Sequence, residues 1–214
     1  MSLWGERRWP VSLQHGPVGL RPLWVGDEDD WYAVRARNAA WTLPWDATRP
    51  AEATSPGLTF RQMVRRLDAD ARAGRALPWA ITWTEPNGAT RLVGQLTISG
   101  ITYGSARWGM AGYWVDRDVA GRGVAPTALA LGGDYAFTVV RLHRLEVAIR
   151  PENVNSLRVV EKLRFRPEGL RPAYMHVNGS WRDHAMFALH AEEVGAEGLL
   201  GRLLSARRDA PSAG

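Results

Sequence analysis

The chain has 214 residues, 45% of them hydrophobic, with 27 lysines and arginines against 22 acidic residues, a net charge of +5 and no cysteine. That length fits one domain with a buried core, and the missing cysteine excludes thiol nucleophiles, disulfides and thiolate metal sites. No run of about 18 apolar residues occurs and the N-terminal stretch lacks a signal-peptide core, so the sequence predicts a cytoplasmic protein with no membrane partner.

Residues 18–24 read as a first strand, and the acidic run Asp27, Glu28, Asp29, Asp30 suits the N-terminus of a helix over 31–38. A loop containing Trp41, Leu43-Pro44 and Trp45 follows. Thr59 with Gln62 has the spacing of a capping box, opening a helix to Ala73 that Gly74 can end. Residues 78–84 and 91–99 flank Pro86-Asn87-Gly88 as a hairpin, and 106–115 reads as another strand. Beyond a Gly-rich turn, 126–140 is helical with Pro126 at its first position, 144–149 is a short strand, and 153–164 is a helix whose apolar face is Val154, Leu157, Val160 and Leu163. Asn178-Gly179 joins strands 174–177 and 181–189. The sequence thus predicts one α/β domain over 1–191, with 192–214 a loosely patterned extension and 209–214 expected to be disordered.

The basic residues are single arginines interleaved with acids, so nucleic acid is expected as an incidental partner only. The chemistry concentrates in the turn from Asp118 to Ala125. Gly121 and Gly123 let the backbone approach a ligand, and the free N–H groups of the following helix, with its dipole, favour a phosphate. A P-loop is excluded because the single lysine, Lys162, lies far along the chain, and the glycine spacing does not fit a dinucleotide fingerprint.

The order strand, Gly-rich turn, helix, strand, then Asn153-Val-Asn-Ser156 resembles the GCN5-related N-acetyltransferase (GNAT) superfamily. Gly123 and Ala125 fill the small positions of its pyrophosphate signature, Gly121 is an extra glycine, and Ala120 stands where the signature has arginine or glutamine. The runs Y-W-V-D at 113–116, L-H-R-L-E at 142–146, P-E-N-x-x-S at 151–156 and N-G-S-W-R-D at 178–183 resemble the RimJ/RimL type, the ribosomal-protein alanine N-acetyltransferases.

The resemblance implies a mixed, mostly antiparallel sheet with flanking helices, splayed between its fourth and fifth strands, which end near Val115 and Ile149. It implies acetyl-CoA as cosubstrate, held by main-chain groups near Trp114 and Val115, by Gly121, Arg122, Gly123, Val124, Ala125, Pro126 and Thr127, and by Asn153 and Ser156. The resemblance to the RimL type implies that Ser156, three residues after Asn153, protonates the leaving thiolate; Val160 occupies the place where many other members carry a tyrosine. Asn153 and Ser156 equally fit a helix cap and a first-turn polar residue.

The general base is open. Ala148 stands where relatives can carry a glutamate, and Glu146, two residues earlier on the same strand face, is the candidate. Trp41 and Trp45 are expected to wall the acceptor site or, equally, to anchor their loop, and a peptide could pair with strand edges in a slot between this loop and the Asn178-Gly179 hairpin. The five histidines, His15, His143, His176, His184 and His190, lack metal-ligand spacing, so no metal is expected. The expected acceptor is a protein N-terminus, such as that of a ribosomal protein, and the protein a monomer or homodimer. The alternatives are a small-molecule amine (antibiotic, polyamine or amino acid) and, given Val160 and Ala148, a non-catalytic acyl-CoA sensor.

Overall fold

The protein is described from a computed structural model covering residues 9–53 and 57–208. Four strands form an antiparallel meander: Val18–Pro22 (β2), Leu77–Thr84 (β3), Thr90–Thr102 (β4) and Trp108–Val115 (β5), with Leu13–His15 (β1), an edge strand not foreseen, against β2. Arg144–Ile149 (β6) runs parallel to β5, Ser180–His190 (β8) pairs with β6, and Arg166–Val177 (β7) is the far edge. The sheet order is β1-β2-β3-β4-β5-β6-β8-β7, with one parallel pair.

The helices are Glu28–Arg37 (α1), Ala39–Thr42 (α2), Phe60–Arg72 (α3), Val124–Thr138 (α4), Val154–Lys162 (α5), Ala191–Val194 (α6) and Gly198–Arg208 (α7). Buried α4 residues, with Val159 and Val160 of α5 and Leu199 and Leu203 of α7, join the main core on one face of the sheet. Val34 of α1 with Phe60 and Val64 of α3 makes a smaller core around Leu23, Ala80 and Leu92. Local signals place α1, α3, α4 and α5 close to where they are expected. The Thr59 hydroxyl accepts from Gln62 N at 3.3 Å while the Gln62 side chain accepts from Thr59 N at 2.9 Å, closing the capping box of α3.

The functional feature of the sheet is a fork. Pairing between β5 and β6 is confined to Trp108 with Arg144, Gly109 with Leu145 and Met110 with Glu146. Beyond Met110 the strands part, so main-chain groups there must find other partners. This is the splay expected between the fourth and fifth strands, renumbered here because of β1.

Three expectations are corrected. Gly123, at φ 80°, is the N-cap of α4, so Pro126 is the third helical residue and not the first; its missing N–H still falls in the turn that has no intrahelical acceptor. β7 begins at Arg166 rather than 174, because an edge strand with register shifts between Pro167 and Gly169 and between Arg171 and Met175 tolerates residues that break central strands. The segment after Glu192 carries a packed helix. Asp134 accepts from Leu199 N at 2.6 Å and Leu200 N at 3.0 Å, capping α7, while Arg202 donates to the Leu163 carbonyl at 3.0 Å. Residues 209–214, expected to be disordered, lie outside the described residues. No described helix is long and apolar enough to cross a membrane.

Candidate functional site

Three adjoining cavities of about 240, 200 and 180 Å³ follow the fork. The first shares Trp45, Tyr113, Asn153 and Ser156 with the second, and Trp41, Val115 and Ala125 with the third, so they form one groove.

At one end, Asp116 fixes the tip of β5. It is fully buried, and its carboxylate accepts from Asn38 Nδ2 at 2.8 Å, Asp118 N at 3.2 Å, Arg91 Nη1 at 3.1 Å and Arg37. Burial pushes this carboxyl up, but the Arg37, Asn38 and Asp118 hydrogen bonds outweigh it and hold the pKa at about 2. The turn that follows puts Gly121 at φ 79° and Gly123 at φ 80°, both left-handed, and no atom lies within 4 Å of the place a Gly121 side chain would take. Gly123 gives α4 no side-chain cap, so the N–H groups of its first turn stay available to a ligand. Arg158 and Lys162, one turn apart on α5, line the same cavity. Open backbone donors facing two cations can seat a phosphate.

Gly121, Gly123, Val124, Ala125 and Pro126 line this end. Thr127 is buried instead, and Arg122 lies over the Trp83 ring at 5.9 Å; neither lines the groove. In the sequence, the spacing of four between Arg158 and Lys162 is the signal that puts both on one face of α5.

In the middle of the groove the main chain of β5 alternates. Asp116 N donates to Val93 O at 2.7 Å and the Trp114 carbonyl faces Gly94, so the main-chain groups of Trp114 belong to β4. Those of Tyr113 and Val115 face the fork instead. This corrects the expectation for the main chain of Trp114, although the residue lines the groove. The Val115 carbonyl is occupied, accepting from Trp41 Nε1 at 3.2 Å.

Asn153 caps α5, accepting from Ser156 N at 3.1 Å, and both side chains line the groove, so the capping and site readings coincide. Tyr113 Oη donates to the Ser156 carbonyl at 3.4 Å; burial pushes the phenol up, the Ser156 hydroxyl opposing, which keeps it a neutral donor. The run Y-W-V-D contains Tyr113 but does not show that its phenol meets α5. Val160 is core.

At the far end, Trp45, Ala148, Arg150, Met175, Val177 and His184 line the groove. Arg150 lies over the Trp45 ring at 5.3 Å and donates to the Pro44 carbonyl at 2.8 Å. The Trp41–Trp45 loop and the final hairpin do not leave a slot between them. Ala47 bridges Val177, Thr48 N donates to His176 O at 2.8 Å, Asn178 N to Asp46 O at 3.2 Å, and Gly179 N to Thr48 Oγ1 at 3.1 Å. Their edges satisfy each other, so the opening is the groove beneath. Asp46 is the one carboxylate lining any of the three cavities, and Arg35 pairs with it.

Glu146 lines none of them. It sits where β5 and β6 are still paired, opposite Met110, with one oxygen 2.7 Å from Arg144 Nε and the other facing Arg171 at 3.9 Å. Alternation put it on the right face, but on the closed side of the fork. Among the described residues no group of three or more His, Cys, Asp or Glu can hold a metal.

Residues 18–166 match the family model of the acetyltransferase (GNAT) domain. The solved structure of Mycobacterium smegmatis RimJ in complex with CoA-disulfide is 38% identical with a TM-score of 0.80, covering 94% of this chain and 96% of that one. The [ribosomal protein uS5]-alanine N-acetyltransferase of Escherichia coli is 25% identical over 167 residues, 77% of this chain and 84% of the enzyme. Probable N-acetyltransferase YjcK of Bacillus subtilis is 36% identical over 99 residues, 46% of this chain, a match spanning about half (55%) of that protein.

Proposed function

The chain belongs to the acetyltransferase (GNAT) domain family, and from that premise we propose that it transfers an acetyl group from acetyl-CoA to the α-amino group at a protein N-terminus. The charge along the groove carries the proposal. One end presents free backbone donors with Arg158 and Lys162, suited to the phosphates of coenzyme A, while the rest of the groove holds a single carboxylate, Asp46, already neutralised by Arg35. A polyamine or aminoglycoside needs several uncompensated carboxylates. A peptide terminus needs one small pocket and no net charge.

In this reading the phosphates lie on the turn at Gly121, Gly123, Val124, Ala125 and Pro126, and the pantetheine arm follows the fork past Asn153. The N–H groups of Tyr113 and Val115 replace their missing strand partner with ligand oxygens, and one aimed at the developing oxyanion contributes on the order of 3 kcal/mol. Attack of the amine on the thioester carbonyl forms the C–N bond and breaks the C–S bond. Ser156 gives its proton to the departing sulfur. Trp41 and Trp45 form the rim on the acceptor side. A ribosomal protein is the proposed kind of acceptor, since the E. coli relative is named for alanine acetylation of uS5.

Release of coenzyme A with a panel of peptides bearing N-terminal alanine or serine, beside spermidine and an aminoglycoside, tests the reading. Peptides should have the higher kcat/KM. The reverse ranking would move the protein to small-molecule acceptors, and tight acetyl-CoA binding without turnover would make it a sensor.

A further inference from the structure

We propose that His184 is the general base of this site, its Nε2 taking the proton that the acceptor amine loses. The inference rests on the acetyl-transfer reading and supplies the group that reading lacks.

His184 stands on β8, 4% exposed, and lines the same cavity as Ser156 and Tyr113. Its Nδ1 lies 3.0 Å from the Arg182 carbonyl. A carbonyl only accepts, so Nδ1 carries a hydrogen, and in that tautomer the lone pair lies on Nε2. No hydrogen bond reaches Nε2 among the described residues, and it is absent from the unpartnered buried atoms Trp83 Nε1, Glu146 Oε2 and Arg150 Nε. It is therefore open to the cavity. The Tyr174 ring, edge-on at 5.8 Å, holds the imidazole in place. Ala148, on the neighbouring strand, lines the same cavity.

The other ionisable groups at this end cannot do the work. Arg150 and Arg171 are permanent cations with no acceptor atom. Asp46 is held by Arg35, and Glu146 by Arg144 on the closed side of the fork. The phenol of Tyr174 packs against the ring and that of Tyr113 is pushed up by burial.

The proton balance closes within the groove. As the amine nitrogen bonds to the carbonyl carbon, one N–H proton moves to Nε2, and the sulfur leaves with the proton of Ser156. The imidazolium returns its proton through water to the Ser156 oxygen, leaving amide and thiol as products and both side chains restored.

His184→Asn keeps a donor for the Arg182 carbonyl and removes the base. It should lower kcat toward an alanine-terminated peptide by about 10²- to 10⁴-fold, with acetyl-CoA affinity by calorimetry unchanged. In His184→Ala, added imidazoles should restore turnover, more strongly as their basicity rises, which a merely structural histidine would not do. Unimpaired turnover in folded His184→Asn, or failure of every imidazole to rescue His184→Ala, overturns the proposal while acetyl transfer stands. Absence of turnover by the wild-type protein with every amine overturns both.

Discussion

Trp41 Nε1 donates to the main-chain carbonyl of Val115 at 3.2 Å, joining the Trp41–Trp45 loop to β5 across the groove. Past the fork that carbonyl has no strand partner, so the indole supplies one. Trp41 also lines both cavities it connects.

Trp41→Phe keeps the aromatic bulk and deletes the donor. A neutral hydrogen bond contributes about 1 kcal/mol, so acetyl-CoA affinity should fall roughly 5-fold by calorimetry, with the peptide KM rising in parallel. Equal affinities would show that water replaces the indole.

Gly123, at φ 80°, and Gly121, at φ 79°, should respond differently to substitution. A β-branched residue at the N-cap of α4 opposes the left-handed geometry by roughly 1–2 kcal/mol and narrows the cradle, so Gly123→Val should weaken coenzyme A binding at least tenfold. Gly121→Asn meets open space in the protein and asparagine tolerates that geometry, so the fold should be undisturbed and any loss of coenzyme A affinity should be smaller than at Gly123. Loss of affinity in Gly121→Asn with none in Gly123→Val would refute the assignment of the cradle.

Ser156→Ala leaves the cap of α5 intact, because Asn153 accepts from the Ser156 backbone N–H and not from its hydroxyl. Turnover should drop by about 10- to 10⁴-fold with little change in acetyl-CoA affinity. Wild-type kcat would reduce Ser156 to a helix residue.

Asp116 makes acid stability predictable. Its folded pKa, about 2, lies below the ordinary value of 3.8, so the carboxylate stabilises the fold fully above the unfolded pKa and progressively less as pH falls through the folded one. The contribution is on the order of 2 kcal/mol, lost between about pH 4 and pH 2. Urea unfolding of Asp116→Asn should show lower stability at pH 7 and a shallower decline across that window; parallel curves for the two proteins would contradict this.

Much of the fold could be read locally. The capping box at Thr59 and Gln62, the Asn178-Gly179 turn and the left-handed glycines at 121 and 123 act through the backbone preferences of adjacent residues, which the order of the chain displays. The same holds for Asn153 and Ser156, three residues apart on one helical turn. The first part of β7, before Tyr174, and helix α7 are not legible locally because their stability lies elsewhere, in pairing with β8 and in a cap from Asp134, 65 residues from Leu199.

The site divides along the same line. Sequence by itself placed the Gly-rich turn, the fork's approximate position and the serine beside it. It put Glu146 on the correct face of β6, because alternation has a period of two. Only the tertiary structure decided that β5 still pairs there, closing Glu146 off behind Met110, and that His184 of β8, Arg35 beside Asp46 and Trp41 beneath Val115 converge on the open side. Strand register and long-range hydrogen bonds arise between residues 11 to 74 positions apart in such pairs, beyond the reach of any local backbone preference.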